Sequence, residues 1–223
     1  MNIKDNLIQV QKQINQACQL ANREKSEVCL LAVSKTKPAS SIEQAYQAGQ
    51  RQFGESYIQE AVEKIADLAH LADIEWHFIG PIQSNKTRAI AENFTWVHSV
   101  DRLKIAARLN DQRLPQDTPL NICLQVNISG ESSKSGVTPE QLPELAQYVN
   151  EAPHLTLRGL MAIPEKNAAK SSFDQMFTLY NDLKFRYSTI DTLSMGMSGD
   201  MNVAIAAGST MVRVGTAIFG QRL

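Results

Sequence analysis

The sequence predicts a parallel (β/α)8 TIM barrel over its 223 residues, with one extra helix at the N-terminus. Three observations lead there. Short unbroken apolar runs alternate with segments of helical periodicity, about eight such runs occur, and none alternates strictly enough for a half-solvated antiparallel sheet. No glycine-rich fingerprint follows the first run, which makes an open doubly wound sheet the lesser of the two possible closures.

The elements follow in order. Ile3, Leu7, Val10, Ile14, Ala17 and Ala21 stand three and four residues apart, the spacing of one face of an amphipathic helix. Val28 to Val33 is a buried strand, closed by polar Ser34 to Lys37 and by Pro38, which a helix interior does not accept. Ser40 and Ser41 open a helix that ends near Gly49, Gln52 to Gly54 is a short strand, and Glu55 to Ala69 is again helical. Ile74 to Ile79 is a strand cut off by Gly80-Pro81, and Gln83 to Asn93 is a helix. Phe94 to Val100 and Leu120 to Ile128 are strands with a helix from about Asp101 between them. Ser129 to Thr138 is a polar loop, and Pro139 to Asn150 is a helix. Leu155 to Ile163, Thr192 to Gly196 and Met211 to Val214 complete the strands, separated by helices at Phe173 to Phe185 and Asp200 to Ala207.

Composition narrows the function classes. With 22 Lys+Arg against 23 Asp+Glu, the chain lacks the basic excess of a phosphate-backbone binder, so no nucleic-acid partner is expected. Hydrophobic residues at 43% and charged residues at 20% suit one globular domain over 1–223, without linker, repeat or low-complexity tract. The first residues lack the apolar core of a signal peptide, and no stretch approaches the roughly 18 apolar residues of a membrane helix, so no membrane partner is expected. Cys18, Cys29 and Cys123 form no CxxC pair and read as buried free thiols, which places the protein in a reducing cytoplasm.

In a parallel barrel the chemistry collects where strands end and loops begin. Lys35 lies two residues beyond the first apolar strand, where low-dielectric walls lower a lysine pKa and free an amine able to attack an aldehyde; the alternative is a lysine that snorkels to solvent. Ser194-Met195-Gly196-Met197-Ser198-Gly199-Asp200-Met201-Asn202 joins a late strand to a helix. Its small residues let backbone N–H groups approach an anion, with the Ser198 hydroxyl added, or else form an ordinary capped turn. Arg213-Val214-Gly215-Thr216 ends the last strand, where Gly215 and Thr216 supply two more donors to the same anion. Closure of a barrel sets strands seven and eight beside strand one, so a phosphorylated aldehyde anchored there would be within reach of Lys35. Arg213 lies under that ligand if its strand parity points it inward. His77 is a candidate ligand contact between aromatics, against the alternative of a satisfied core histidine. His70, His77, His98 and His154 show no zinc spacing, so no metal is assigned; Walker and GxSxG motifs are absent from the sequence.

Taken together, LLAVSKTKP (Leu30 to Pro38), FGESYIQE (Phe53 to Glu60), WHFIGPIQSNK (Trp76 to Lys86), SMGMSGDM (Ser194 to Met201) and VRVGTAIFG (Val212 to Gly220) resemble the pyridoxal phosphate homeostasis (YggS/PROSC-like) family. That family is similar in fold to the N-terminal barrel of alanine racemase. The resemblance implies pyridoxal 5′-phosphate as cofactor, held as a Schiff base by Lys35, with Ser198, Gly215 and Thr216 on the phosphate and Arg213 at the pyridine nitrogen. Ser56 departs from the commoner FGENY form, and Lys134 matches a further family lysine linked to cofactor handling but stays outside the primary site.

The implied function is a cofactor-binding protein of intracellular pyridoxal phosphate homeostasis and amino/keto-acid balance, without catalytic turnover. Pyridoxal-phosphate-dependent apoenzymes are its implied partners, and a monomer is the expected state. An arginine at the ring nitrogen gives no ionisable proton to the ring, and the sequence ends at Leu223 without the racemase domain that supplies an opposing tyrosine. The alternatives are a low-activity pyridoxal-phosphate-dependent racemase or decarboxylase, and a cofactor-free barrel enzyme that uses Lys35 on a sugar phosphate.

Overall fold

The structure is a computed structural model that describes residues 2–131, 134–164 and 169–221. Eight parallel strands close into a barrel in chain order: β1 (Cys29–Val33), β2 (Gln52–Glu55), β3 (Glu75–Phe78), β4 (Trp96–Val100), β5 (Leu120–Gln125), β6 (Leu155–Met161), β7 (Thr192–Ser194) and β8 (Met211–Val214). β8 pairs with β1 through Cys29↔Met211 to Ala32↔Val214, which closes the ring. The helices between the strands are α2 (Ala39–Gln47), α3 (Ile58–Asp67), α4 (Thr87–Asn93), α5 (Leu103–Gln112), α6 (Leu142–Glu151), α7 (Ala169–Arg186) and α8 (Met201–Ala206). Before the first strand comes α1 (Ile3–Leu20), and after the last comes α9 (Thr216–Phe219).

All eight expected strands form, and the differences lie at the ends of elements. Glu55 completes β2 instead of opening a helix, because the β2–β3 pairing runs on to Glu55↔Phe78. α7 starts at Ala169, before the expected Phe173, and α9 is a single turn, too short to show a periodicity. In the loop after β5, Val137 makes an isolated parallel bridge to Val126; residues 132 and 133 of that loop lie outside the described residues.

Strand parity sorts the side chains into two cores. Leu30, Ala32, Leu157, Leu160 and Leu193 pack outward against the helices, in one cluster with Leu7, Val10 and Ile14 of α1. Trp96, Cys123 and Met161 form a second cluster inside the barrel. β6 keeps both cores served by a bulge: its register against β5 shifts between Ile122↔Leu157 and Cys123↔Gly159, so Leu157 and Leu160 face out while Arg158 and Met161 face in. Gly159 at this bulge has φ +154°, and a Cβ there would stand 1.7 Å from the Thr192 carbonyl oxygen, so only glycine lets β7 approach. α1 is capped by the Asn2 side chain accepting from the Asp5 N–H and is tied to the closing elements by Asn6 Nδ2 donating to the Ile218 carbonyl at 2.8 Å. Among the described residues no helix is long and apolar enough to cross a membrane.

Candidate functional site

The site is assembled at the carboxyl edge of the barrel by the β8–β1 closure. Val214 pairs with Ala32, so Gly215 follows beside Val33, and a Cβ at Gly215 would stand 3.0 Å from the Val33 carbonyl oxygen. That close approach brings the β8 end to within two residues of Lys35 in the β1 chain. Leu31 lies inside the barrel, where a Cβ on Gly54 would touch it, and Ser34 turns outward to α3, which leaves Lys35 in the turn that follows β1 at the carboxyl edge. Lys35 is half-buried.

The two anion-binding candidates sit in adjacent loops. β7 pairs with β8 at Ser194↔Met211, and the Arg213 N–H donates to the Gly196 carbonyl, which continues the pairing into the β7–α8 turn. Asp200 holds that turn by accepting from the Met197 N–H at 2.5 Å, leaving Ser198 and Gly199 exposed at its apex. Gly215 is half-buried ahead of α9, and Thr216 is exposed as its first residue.

Arg213 points inward and is buried. Its Nη1 donates to the Ser194 carbonyl at 2.7 Å and to Ser194 Oγ at 2.8 Å, and its Nη2 to the Ala162 carbonyl at 2.9 Å. Burial brings its pKa down to about 10, which leaves it charged at neutral pH. Among the described residues these three bonds leave Nε–H and one Nη2–H for other acceptors.

From Arg213 a chain of polar groups crosses the barrel interior. Ser194 Oγ stands 3.1 Å from His98 Nδ1, His98 Nε2 stands 2.9 Å from His77 Nδ1, and His77 Nε2 faces the Glu75 carboxylate at 3.8 Å. Arg213 only donates, so Ser194 Oγ accepts from it; with the Ser194 hydroxyl donating a hydrogen bond to His98 Nδ1, the chain is satisfied by imidazoles that carry their hydrogen on Nε2. Both rings stay neutral: burial holds His77 below the ordinary histidine range and His98 well below it, with His77 and Arg213 pushing His98 further down.

The structure places His77 in the barrel interior: its ring is fully buried, stacked on Trp96, with one nitrogen on His98 and the other toward Glu75 at the opposite rim, surroundings of the kind the core-histidine alternative describes. Ser56 is nearly buried with its carbonyl against Gly80, where a Cβ would stand 2.2 Å away. Lys134 lies across the mouth from the β8–β1 seam, paired with Glu131 at 2.5 Å, on a cavity of about 240 Å³ also lined by Ile79, Gln125, Asn127 and Ile163.

Sequence reasoning passed over Ser194 as a partner of Arg213 and His98 as a partner of Ser194, because these contacts depend on three strands meeting inside a closed ring. It also passed over Glu55, Glu60 and Lys64 beneath the β1 loop. The Glu60–Lys64 spacing of four on a helix was the available signal.

The donor set suits a phosphorylated pyridine aldehyde. It combines an amine at the β1 end, a hydroxyl and glycine-opened backbone at the β7 and β8 ends, and a buried guanidinium with N–H groups to spare beneath them.

Comparisons with known proteins agree with this geometry. The family model described as "Alanine racemase, N-terminal domain" matches residues 6–223. A pyridoxal phosphate homeostasis protein of Pseudomonas aeruginosa is 56% identical over 221 residues, covering 99% of this chain and 96% of that one. Its namesake in Escherichia coli K12 is 56% identical over 226 residues, covering 99% and 97%. Among solved structures, PipY of Synechococcus elongatus PCC7942 with PLP bound superposes with a TM-score of 0.82 at 35% identity, covering 98% of this chain and 100% of that one. The chain therefore belongs to the family of the alanine racemase N-terminal domain, within the branch formed by the pyridoxal phosphate homeostasis proteins.

Proposed function

We propose that this protein binds pyridoxal 5′-phosphate reversibly and covalently and serves its supply inside the cell. The observation that carries the proposal is the seating of Gly215 against Val33, which sets the β8 loop beside the chain leading to Lys35. Lys35 provides the amine that condenses with the aldehyde carbon to form a Schiff base with loss of one water, and hydrolysis returns both partners. Ser198, Gly215 and Thr216 hold the phosphate, and Arg213 donates to the ring nitrogen. The relatives named for pyridoxal phosphate homeostasis and the PLP-bound PipY support the choice of ligand.

When bound, pyridoxal phosphate supplies an aldehyde for amines and a ring that withdraws electrons. Arg213 limits the second property, because it keeps its own proton and offers the ring a hydrogen bond only. Holding without turnover follows, with pyridoxal-phosphate-dependent apoenzymes as recipients and amino- and keto-acid balance as the process served. A monomeric cytoplasmic barrel spanning 1–223 suits that role. Its thiols are free, and burial pushes Cys29 up to about 11 and Cys123 higher still, so they suit a reducing compartment. The fold shared with alanine racemase favours a low-activity racemase or decarboxylase as the second reading.

The test is borohydride reduction of the protein incubated with pyridoxal phosphate, followed by peptide mapping. The expected result is a pyridoxyl group on Lys35 that is absent from Lys35→Ala; a label confined to other lysines overturns the assignment. Solvent deuterium exchange at the α-carbon of an amino-acid panel, abolished in Lys35→Ala, would select the enzymatic reading.

A further inference from the structure

Beneath the β1 loop lies a buried ionic cluster that cofactor binding as described above does not use. Glu55 is fully buried; its Oε1 accepts from Ser34 Oγ at 2.6 Å and from Lys64 Nζ at 2.9 Å, while its Oε2 has no hydrogen-bond partner. Lys64 is itself buried in α3, an uncommon place for a lysine. Its ammonium also donates to the Ser34 carbonyl at 2.9 Å and to Glu60 Oε1 at 2.5 Å. The same Glu60 oxygen accepts the Thr36 N–H at 2.6 Å.

Ser34 and Thr36 are the two neighbours of Lys35. The Ser34 carbonyl belongs to the peptide unit before Lys35, and the Thr36 N–H to the unit after it. One lysine and one carboxylate thus hold both peptide planes that set the direction of the Lys35 side chain. The geometry held is not a relaxed one: Thr36 has φ +64°, the left-handed region that a β-branched residue adopts only when its surroundings impose it. Burying Glu55 with one oxygen unpaired opposes folding, and apolar residues would fill the same space at no such cost.

We propose that Glu55, Lys64 and Glu60 are positioning residues for Lys35, holding its two flanking peptide units so that the amine is presented to the barrel mouth. Glu60 is the clamp on the Thr36 side, Lys64 the clamp on the Ser34 side, and Glu55 the buried counter-charge that keeps Lys64 in place. The proposal rests on the assignment of Lys35 as the aldehyde-binding amine.

The experiment separates the two. Glu60→Ala removes the acceptor of the Thr36 N–H from a side chain that is 30% exposed, so the variant is expected to fold. Glu60→Gln keeps an amide oxygen there, and Lys64→Met removes the other clamp. In the protein without added cofactor, amide hydrogen exchange over residues 34–37 and acetylation of Lys35 by limiting acetic anhydride are measured. With pyridoxal phosphate, the fraction of label fixed on Lys35 by borohydride is measured. In Glu60→Ala the exchange is expected to quicken about tenfold, with Lys35 acetylation altered and its borohydride label reduced by a similar factor, as loss of a charge-assisted hydrogen bond implies. Glu60→Gln restores most of each. Parental behaviour of Glu60→Ala overturns the proposal, and so does faster exchange with Lys35 reactivity unchanged, which would reduce the cluster to loop stability. If Lys64→Met does not fold, Glu60→Ala decides alone. If the parent protein itself takes no label on Lys35, the cofactor assignment falls, and the acetylation and exchange data still decide whether the cluster positions the lysine.

Discussion

At the scale of single residues, the fold depends on side chains that are small where two backbones meet. Gly159 is the sharpest case, since a methyl group there would overlap the Thr192 carbonyl of the neighbouring strand. Gly159→Ala is therefore expected to cost more than about 3 kcal/mol, the range of severe overpacking and forbidden backbone geometry. Urea unfolding is the check; a loss under about 1 kcal/mol would mean that the bulge relaxes. Gly215 shows the same constraint in milder form at the candidate site, where 3.0 Å to the Val33 carbonyl is tight without being closed. Polar residues show the complementary rule. Arg213 was identifiable from the sequence as a residue near the last strand end, but its bonds to Ser194 and Ala162 join β8 to residues 19 and 51 positions earlier.

At the scale of elements, β3, β4, β7 and β8 are joined across the barrel by the His77–His98–Ser194–Arg213 chain, and this makes stability depend on pH. Burial lowers both histidine pKa values in the folded protein, whereas in the unfolded chain they titrate near the ordinary value of about 6.5. Below that pH the unfolded chain takes up protons that the folded barrel refuses. Stability is accordingly full above about pH 6.5 and falls as the pH drops below it, each ring that stays neutral adding at most about 1.4 kcal/mol per pH unit to the slope. Urea midpoints between pH 7.5 and 5.5 measure this, above the range where Glu75, held low by His77 and Gln52, begins to titrate. His98→Gln should roughly halve the slope, and an acid limb that is flat in the parent would show that the rings accept protons in place. The helices on the other side of these strands dock on the outer core chiefly through their apolar stripes.

At the scale of the whole molecule, α1 closes the structure over the seam where the ring begins and ends. It buries Leu7, Val10, Ile14, Ala17 and Cys18, and its first turn is bonded to the carbonyl of Ile218 in α9. At roughly 1.5–3 kcal/mol for each large side chain, that burial is comparable with the whole stability of an ordinary domain. Removing residues 2–22 should abolish cooperative thermal unfolding; a truncated chain that keeps a sharp transition would show that the barrel stands without α1. The sequence by itself determined the order and number of strands, the helix on the first twenty residues, and Lys35, Ser198 and Gly215 as loop residues at strand ends; Thr216 instead opens the single-turn helix α9. These follow from local periodicity and from turn chemistry, which neighbouring residues set among themselves. Only the tertiary structure decided that His77 belongs to the barrel interior, that Ser194 and His98 lie on the path from Arg213, and that Glu55, Glu60 and Lys64 grip the peptides around Lys35. The physical reason is that a buried polar group is satisfied by whichever partner the closed ring brings to it, and ring closure joins residues that no periodicity relates.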